Sequence, residues 1–339
     1  MGVTSQIFSV QISAQRESWP IAGSFTTARG SKTSAGVVVA SISDGEAVGT
    51  GECLPYPRYG ETTAQTLQQI EDFTDQTVGL SLDSLQQGLP AGAARNALDC
   101  ALWDLLAKRN RSPVWKLAGL PEPRPVVTAF TLSLDSPDAM QQAAVANAAR
   151  PLLKIKLGDG EVARDIERLR RVRRGAPRAR LIVDANEGWS FDQLNMIAPV
   201  AAEVGVEMIE QPLPADADQQ LVEYSGAVPL GADESIGADT DLQDLATRYQ
   251  VANIKLDKTG GLSHAIAMHD AARQHGLDVM IGCMVATSLS MAPALLLART
   301  ARFVDLDGPL LLVRDRLPGL VFANDRIGFP DGPCWGSGA

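Results

Sequence analysis

The apolar positions change their rhythm once along the chain. Gln6 to Ala14, Ala35 to Ile42 and Val48 to Leu54 are short runs rich in β-branched residues, and the last follows Asp44-Gly45. They predict a small antiparallel sheet. Gly23 to Ser34, made of Gly, Ser, Thr, Arg and Lys, predicts a loop between the first two runs, and Pro55 to Gly60 predicts another. Two helices follow, at about Thr62–Val78 and Ala91–Arg109. In the second, Ala94, Leu98, Ala101, Leu102 and Leu105 recur at helical spacing. Pro121-Glu122-Pro123-Arg124-Pro125 predicts a stiff linker.

From Val126 onward, short apolar runs alternate with helical patterns, which predicts βα units around a parallel sheet. The runs are Val126–Leu134, Leu152–Leu157, Arg180–Val183, Val206–Ile209, Pro229–Ala232, Val251–Leu256, Asp278–Ile281 and Arg302–Leu306. Eight such units close a TIM-like barrel. The last run has no full helix after it, so the expected fold is α/β: a modified TIM barrel, (β/α)7β, with an α+β capping domain. The expected division is 1–122 for the cap, 123–313 for the barrel, and 314–339 for a Gly- and Pro-rich tail packing back on the cap.

Composition narrows the chemistry. Thirty Lys+Arg against forty Asp+Glu give a net charge of −10, a poor basis for binding nucleic acid or an anionic membrane. Arg164 to Arg180 holds eight arginines, but an apolar stripe and interleaved acids make it the solvated face of a barrel helix. No apolar stretch approaches a membrane span and no secretory leader is evident. The four cysteines are widely spaced and predict reduced thiols in a cytoplasmic protein. The three histidines all fall within Leu262–Gly276, so acid–base chemistry must use other groups. No glycine-rich dinucleotide or P-loop motif occurs.

The strand ends carry the informative residues, because active sites of these barrels sit there. They read Lys154-Ile155-Lys156, Val183-Asp184-Ala185-Asn186, Ile209-Glu210-Gln211-Pro212, Ala232-Asp233-Glu234-Ser235, Ile254-Lys255-Leu256-Asp257-Lys258 and Asp305-Leu306-Asp307. Any one of these carboxylates alone is adequately explained as a helix N-cap. Asp184, Glu210 and Asp233 on three consecutive strands need a common cause. Oxygen donors without His or Cys suit a hard cation, and Mg²⁺, one per subunit, is the natural choice. Lys154 and Lys156 share a strand face, and the strand bearing Lys255 lies across the barrel. Lysines from the two sides would meet a carbon acid on opposite faces and epimerise it, with the cation stabilising developing charge. A lysine base needs a pKa lowered toward about 7–8. The cation and, for Lys156, the neighbouring Lys154 are expected to supply that.

These segments, together with Ala28-Arg29-Gly30-Ser31, Tyr56-Pro57-Arg58-Tyr59-Gly60-Glu61, Lys258-Thr259-Gly260-Gly261 and Gly282-Cys283-Met284, resemble the enolase superfamily, in its muconate-lactonizing subgroup. Within it they resemble the L-Ala-D/L-Glu dipeptide epimerases. The resemblance implies Lys156 and Lys255 as the two bases and Asp184, Glu210 and Asp233 as Mg²⁺ ligands. It implies Asp305 and Asp307 as receivers of the substrate ammonium, with Lys154, Cys283 and Met284 also at the substrate. Asn186, Glu234 and Lys258 are expected around them. Lys154 is read as an electrostatic helper and Lys258 as a loop residue. Epimerases with an arginine in the first loop favour Glu or Asp side chains, and Arg29 matches that place, whereas Lys32 and Arg58 are read as solvated cations. A small-molecule dipeptide is thus the expected partner, murein-peptide recycling the implied role, and a homo-oligomer is compatible with the sequence. The competing readings are an o-succinylbenzoate synthase or muconate cycloisomerase, whose substrates lack the ammonium, an acid-sugar dehydratase, which uses a histidine absent here, and a non-catalytic barrel.

Overall fold

The computed structural model describes residues 3–76, 79–323 and 325–339. In chain order the elements are β1 (Gln11–Thr27), β2 (Gly30–Ser43), β3 (Val48–Cys53), α1 (Thr63–Gln76), α2 (Leu82–Gly88), α3 (Ala93–Asn110), α4 (Val114–Leu117) and β4 (Val126–Val127). Next come β5 (Phe130–Leu132), α5 (Pro137–Ala146), β6 (Leu152–Lys156), α6 (Val162–Gly175), β7 (Arg180–Asp184), α7 (Phe191–Glu203), β8 (Val206–Glu210) and β9 (Leu230–Ala232). The chain ends with α8 (Leu242–Leu245), β10 (Val251–Ile254), α9 (Leu256–Thr259), α10 (Leu262–Gln274), β11 (Asp278–Gly282), α11 (Ser288–Leu295), β12 (Phe303–Asp305), β13 (Val321–Ala323) and β14 (Arg326–Gly328). Strands β5 to β12 form one parallel sheet in sequential order. Its ends meet where Ala129 N–H donates to Val304 O at 2.8 Å, giving a nearly closed barrel. Strands β1 to β3 form a separate antiparallel sheet.

Inside the barrel, period-2 alternation sorts apolar from charged residues. Ala129, Leu152, Ile182, Met208, Val251, Met280 and Phe303 form an apolar plug of their own at the N-terminal ends of the strands. Two residues further on, the same inward face carries Thr131, Lys154, Asp184, Glu210, Asn253 and Asp305, all buried. The floor is apolar and the layer above it is polar and largely ionic.

The sequence expectations differ from the structure in three places. The predicted loop Gly23–Ser34 is a continuation of the β1–β2 hairpin: after a register shift between Pro20 and Phe25, the pairs are Phe25↔Lys32, Thr26↔Ser31 and Thr27↔Gly30. With most of its residues exposed, this tip shows no apolar alternation, so its composition read as loop. The run Val126–Leu134 is broken: β4 joins β14, and only β5 enters the barrel. Between β8 and β9 lies a 3-10 segment, Asp218–Glu223, in place of an α-helix. The end of the first predicted helix, at Val78, lies outside the described residues.

The cap is seated on the barrel by buried polar contacts. Gly49 and Gly51 let β3 lie on α3; a Cβ at either would come within 2.0 Å of Ala101 O or 2.2 Å of Ala97 O. Glu52 on β3 accepts from Thr287 N–H (2.8 Å) and Arg316 (2.6 Å). Trp335 of the tail donates to Thr50 O at 3.0 Å. Asp257, beyond β10, accepts from Leu54 N–H (3.0 Å) and Asn96 Nδ2 (2.7 Å) of the cap. Burial raises the Asp257 carboxyl from 3.8 to about 7, against those two hydrogen bonds.

A folded-state pKa above the unfolded value means that the folded protein holds a proton the unfolded chain releases. The stabilisation is therefore complete below about pH 4 and is lost as pH rises toward about 7. We expect Asp257→Asn to reduce the fall in unfolding free energy between pH 4.5 and 7.5 by about 1–3 kcal/mol. Urea unfolding at the two pH values checks this; an unchanged slope contradicts it.

Candidate active site

The upper layer of the barrel interior is a lattice of opposed charges. Lys154 Nζ lies 3.1 Å from Asp184, 2.7 Å from Glu210 and 2.8 Å from Asp305. Lys156 Nζ donates to Asp184 Oδ2 at 2.5 Å. Across the barrel, Lys255 Nζ donates to Asp233 Oδ2 at 2.6 Å. Lys258 Nζ donates to Asp233 Oδ1 at 2.6 Å, to Asp233 O, and to Asn253 O at 3.2 Å. Lys258 is thus no loop residue: it is buried in α9 and braces Asp233 from behind. Strands β6 and β10 stand four places apart in a sheet of eight, so Lys156 and Lys255 come from opposite walls. Both line one cavity of about 280 Å³ between barrel and cap.

Carboxylates outnumber ammoniums in this layer. Lys154, Lys156, Lys255 and Lys258 face Asp184, Glu210, Asp233, Asp305 and Asp307. The deficit appears in the protonation of the acids. Burial and the nearby Asp184 push Glu210 up to about 7, and burial with Asp305 pushes Asp307 up to about 7. Against the cost of burial, Lys156 and Lys154 hold Asp184 below its ordinary range, and Lys255 and Lys258 do the same for Asp233. Asp184, Glu210 and Asp233 can each offer an oxygen within 4.8 Å of the others, and the one cation beside Glu210 Oε2, the Lys154 ammonium at 2.7 Å, is shared with Asp184 and Asp305. Three buried oxygen donors in a layer short of positive charge fit a hard divalent cation.

The same lattice sets the charge state of Lys255. Burial alone would lower the pKa of Lys255, but Asp233 and Glu210 outweigh it, so the ammonium is held well above its ordinary value. Asp233 is the main cause: its carboxylate, 2.6 Å from Nζ, stabilises the charged form.

The remaining expected residues fall around this layer. Asp307 Oδ2 accepts from Thr131 N–H at 2.6 Å, while Asp305 Oδ1 is buried without a partner. Cys283 and Met284, just beyond β11, line the cavity. Asn186, with φ +47°, donates its N–H to Asp184 Oδ1 at 2.9 Å. At the mouth, Arg29 Nη2 reaches Glu187 at 2.9 Å and also Glu234. Arg58 grips Glu187 through two hydrogen bonds, of 2.8 and 2.7 Å. Arg58 is therefore paired rather than solvated, and Lys32 Nζ sits 4.4 Å over the Tyr56 ring.

Sequence reasoning missed four supporting residues. Gln211, at φ +36°, accepts from the N–H groups of Asp233 (3.0 Å) and Ser235 (3.1 Å). Asn253 donates to Glu210 at 2.7 Å. Glu187 collects both arginines and Ala215 N–H. Phe25 lines the cavity with its ring 5.7 Å from Lys156 Nζ. For Asn253 the signal was available: it lies two residues before Lys255, on the same inward face.

Comparisons with known proteins follow this geometry. Residues 9–119 match the mandelate racemase / muconate lactonizing enzyme N-terminal domain, and residues 138–337 match the enolase C-terminal domain-like family. The chain is 44% identical to the L-Ala-D/L-Glu epimerase of Escherichia coli, covering 92% of this chain and 97% of that one. It is also 44% identical to the N-acetyl-D-glutamate racemase of a Pseudoalteromonas species, covering 88% and 95%. Among solved structures, an enolase family member from Agrobacterium tumefaciens with homology to dipeptide epimerases superposes with a TM-score of 0.91. It is 48% identical over 95% of this chain and 98% of that one, and it holds sodium and L-Ala-L-Glu with an ordered loop. A dipeptide epimerase from Enterococcus faecalis, complexed with Mg and L-Leu-L-Tyr, superposes with a TM-score of 0.88. It is 28% identical over 98% of this chain and 99% of that one.

Removing Lys154 would leave Asp184, Glu210 and Asp305 facing one another without the cation they share. We expect Lys154→Met to destabilise the chelator-treated protein by about 3–5 kcal/mol, as breaking a buried ionic cluster does. Denaturant unfolding measures this, and a change below about 1 kcal/mol contradicts the lattice as described.

Proposed function

The chain belongs to the mandelate racemase / muconate lactonizing enzyme family of the enolase superfamily, and on that premise we propose that it is an isomerase that inverts the α-carbon of the C-terminal residue of an L-Ala-D/L-Glu-type dipeptide. One observation carries the reading: two lysines from opposite walls of the barrel face a single cavity, at whose other edge a buried acid pair lacks a full cationic partner. The relatives supply the substrate class, since the E. coli protein is an L-Ala-D/L-Glu epimerase and the Agrobacterium structure holds L-Ala-L-Glu.

Lys156 and Lys255 act as the two bases. One removes the α-proton from its face, leaving a planar enolate, and the other returns a proton to the opposite face. Which lysine acts first depends on the epimer that enters. Asp184, Glu210 and Asp233 would hold Mg²⁺, which supplies positive charge for the substrate carboxylate and loosens the grip of Asp184 and Asp233 on the two lysines. Lys154 stays charged and steadies the carboxylates around it. Lys258 and Gln211 fix Asp233, and Asn253 fixes Glu210. Asp305 and Asp307 receive the ammonium of the first residue. The side chain of the second residue then faces the cap, toward Arg29, Phe25 and Tyr56, with Cys283 and Met284 beside the backbone. A cytoplasmic role in recycling murein peptides accords with that substrate.

The Pseudoalteromonas relative favours a second reading, racemisation of N-acetylglutamate, which needs the same two lysines but no ammonium. The acid pair favours the dipeptide, because Asp305 shares its one cation, Lys154, with Asp184 and Glu210, under-compensated buried carboxylates are costly, and an acetyl group does not relieve them.

Two outcomes test this. In deuterium oxide, L-Ala-L-Glu should gain α-deuterium at a rate that falls below detection after exhaustive chelation and returns with Mg²⁺; full turnover in chelator contradicts the metal assignment. Asp307→Asn should lower kcat/KM for L-Ala-L-Glu at least tenfold more than for N-acetylglutamate, consistent with a charged hydrogen bond of about 1.5–3 kcal/mol. Equal losses contradict the ammonium site.

A further inference from the structure

At the cavity mouth the charges can be paired one by one. Three cations stand there: Arg29, Lys32 and Arg58. Two carboxylates face them: Glu187 and Glu234. Arg58 takes Glu187 in a two-point contact, and Arg29 takes Glu234 while sharing Glu187. Among the described residues Lys32 forms no ion pair. Its ammonium rests over the face of Tyr56 at 4.4 Å, which positions the charge without neutralising it. Lys32 and Tyr56 both line the cavity, and Lys32 pairs across the hairpin with Phe25, another lining residue.

From this pairing we infer that Lys32, rather than Arg29, is the residue that selects an acidic side chain on the epimerised residue. The inference rests on the dipeptide reading above. An incoming side-chain carboxylate can take Lys32 without breaking an existing ion pair. To take the shared Nη2 of Arg29 it would have to displace Glu187 or Glu234, and Glu234 is itself a carboxylate lining the pocket. Arg29 thus holds the hairpin tip to the barrel rim, and Arg58 holds the neighbouring loop there through Glu187.

The test compares kcat/KM for L-Ala-L-Glu and L-Ala-L-Met in wild type, Lys32→Met, Lys32→Arg and Lys32→Glu. The ratio of Ala-Glu to Ala-Met should fall about tenfold in Lys32→Met, chiefly through KM for Ala-Glu, as for one partly screened charged contact. It should recover to within about threefold of wild type in Lys32→Arg. Lys32→Glu should turn the preference toward L-Ala-L-Lys. A ratio unchanged in Lys32→Met and Lys32→Glu overturns the inference and returns the role to Arg29. If wild type exchanges the α-proton of neither dipeptide, the underlying reading fails and this one with it.

Discussion

Everything at the top of this barrel depends on ions buried where water cannot screen them. Charges in such a layer must be matched locally or their protonation shifts. The strands enforce the arrangement with two-residue periodicity: apolar side chains close the floor, and the next inward position on the same strands is ionic. Because the lysines and carboxylates interlock, no single one can be read alone. Lys154 touches three acids, and Asp233 touches two lysines. The unmatched remainder shows in the protonation of the acids. Glu210 and Asp307, pushed to about 7, mark where further positive charge belongs. Glu210 lies at the carboxylate triad, and Asp307 at the far edge of the cavity.

The cap completes the site because it is fastened to the same strand ends. Asp257 follows Lys255 by two residues and anchors the turn after β10 to the cap through Leu54 and Asn96. Glu52, Thr287 and Arg316 join β3, α11 and the tail in a second buried knot. At the mouth, Glu187 joins both cap loops to the loop after β7. The backbone there is left-handed at Asn186 and Glu187, an uncommon conformation for residues other than glycine. Short polar links thus join the cap to the lysines' surroundings.

Much of this was legible in the sequence. Buried parallel strands read as short apolar runs, and charge immediately after such a run is conspicuous, so Asp184, Glu210, Asp233, Lys156 and Lys255 stood out together. The hairpin tip did not, because neither of its faces is buried and nothing in Gly23–Ser34 alternates. Nor did the break at Val127, which depends on β14 some 200 residues later. The raised pKa of Lys255 was hidden for another reason. Sequence gives Lys255 and its neighbours but not the 2.6 Å that couples it to Asp233. The same holds at the mouth, where Arg29 and Lys32 are equivalent cations on paper and distances alone show which is already paired.

The central claim is that two lysines serve opposite faces of one carbon. It is tested most directly by following α-proton exchange of each epimer separately, L-Ala-L-Glu and L-Ala-D-Glu, in deuterium oxide with Lys156→Ala and Lys255→Ala. The account predicts that neither variant epimerises at a measurable rate, and that any residual exchange is confined to one epimer in the first variant and to the other epimer in the second. Epimerisation by either variant at the wild-type rate, or residual exchange of the same epimer in both, would contradict it.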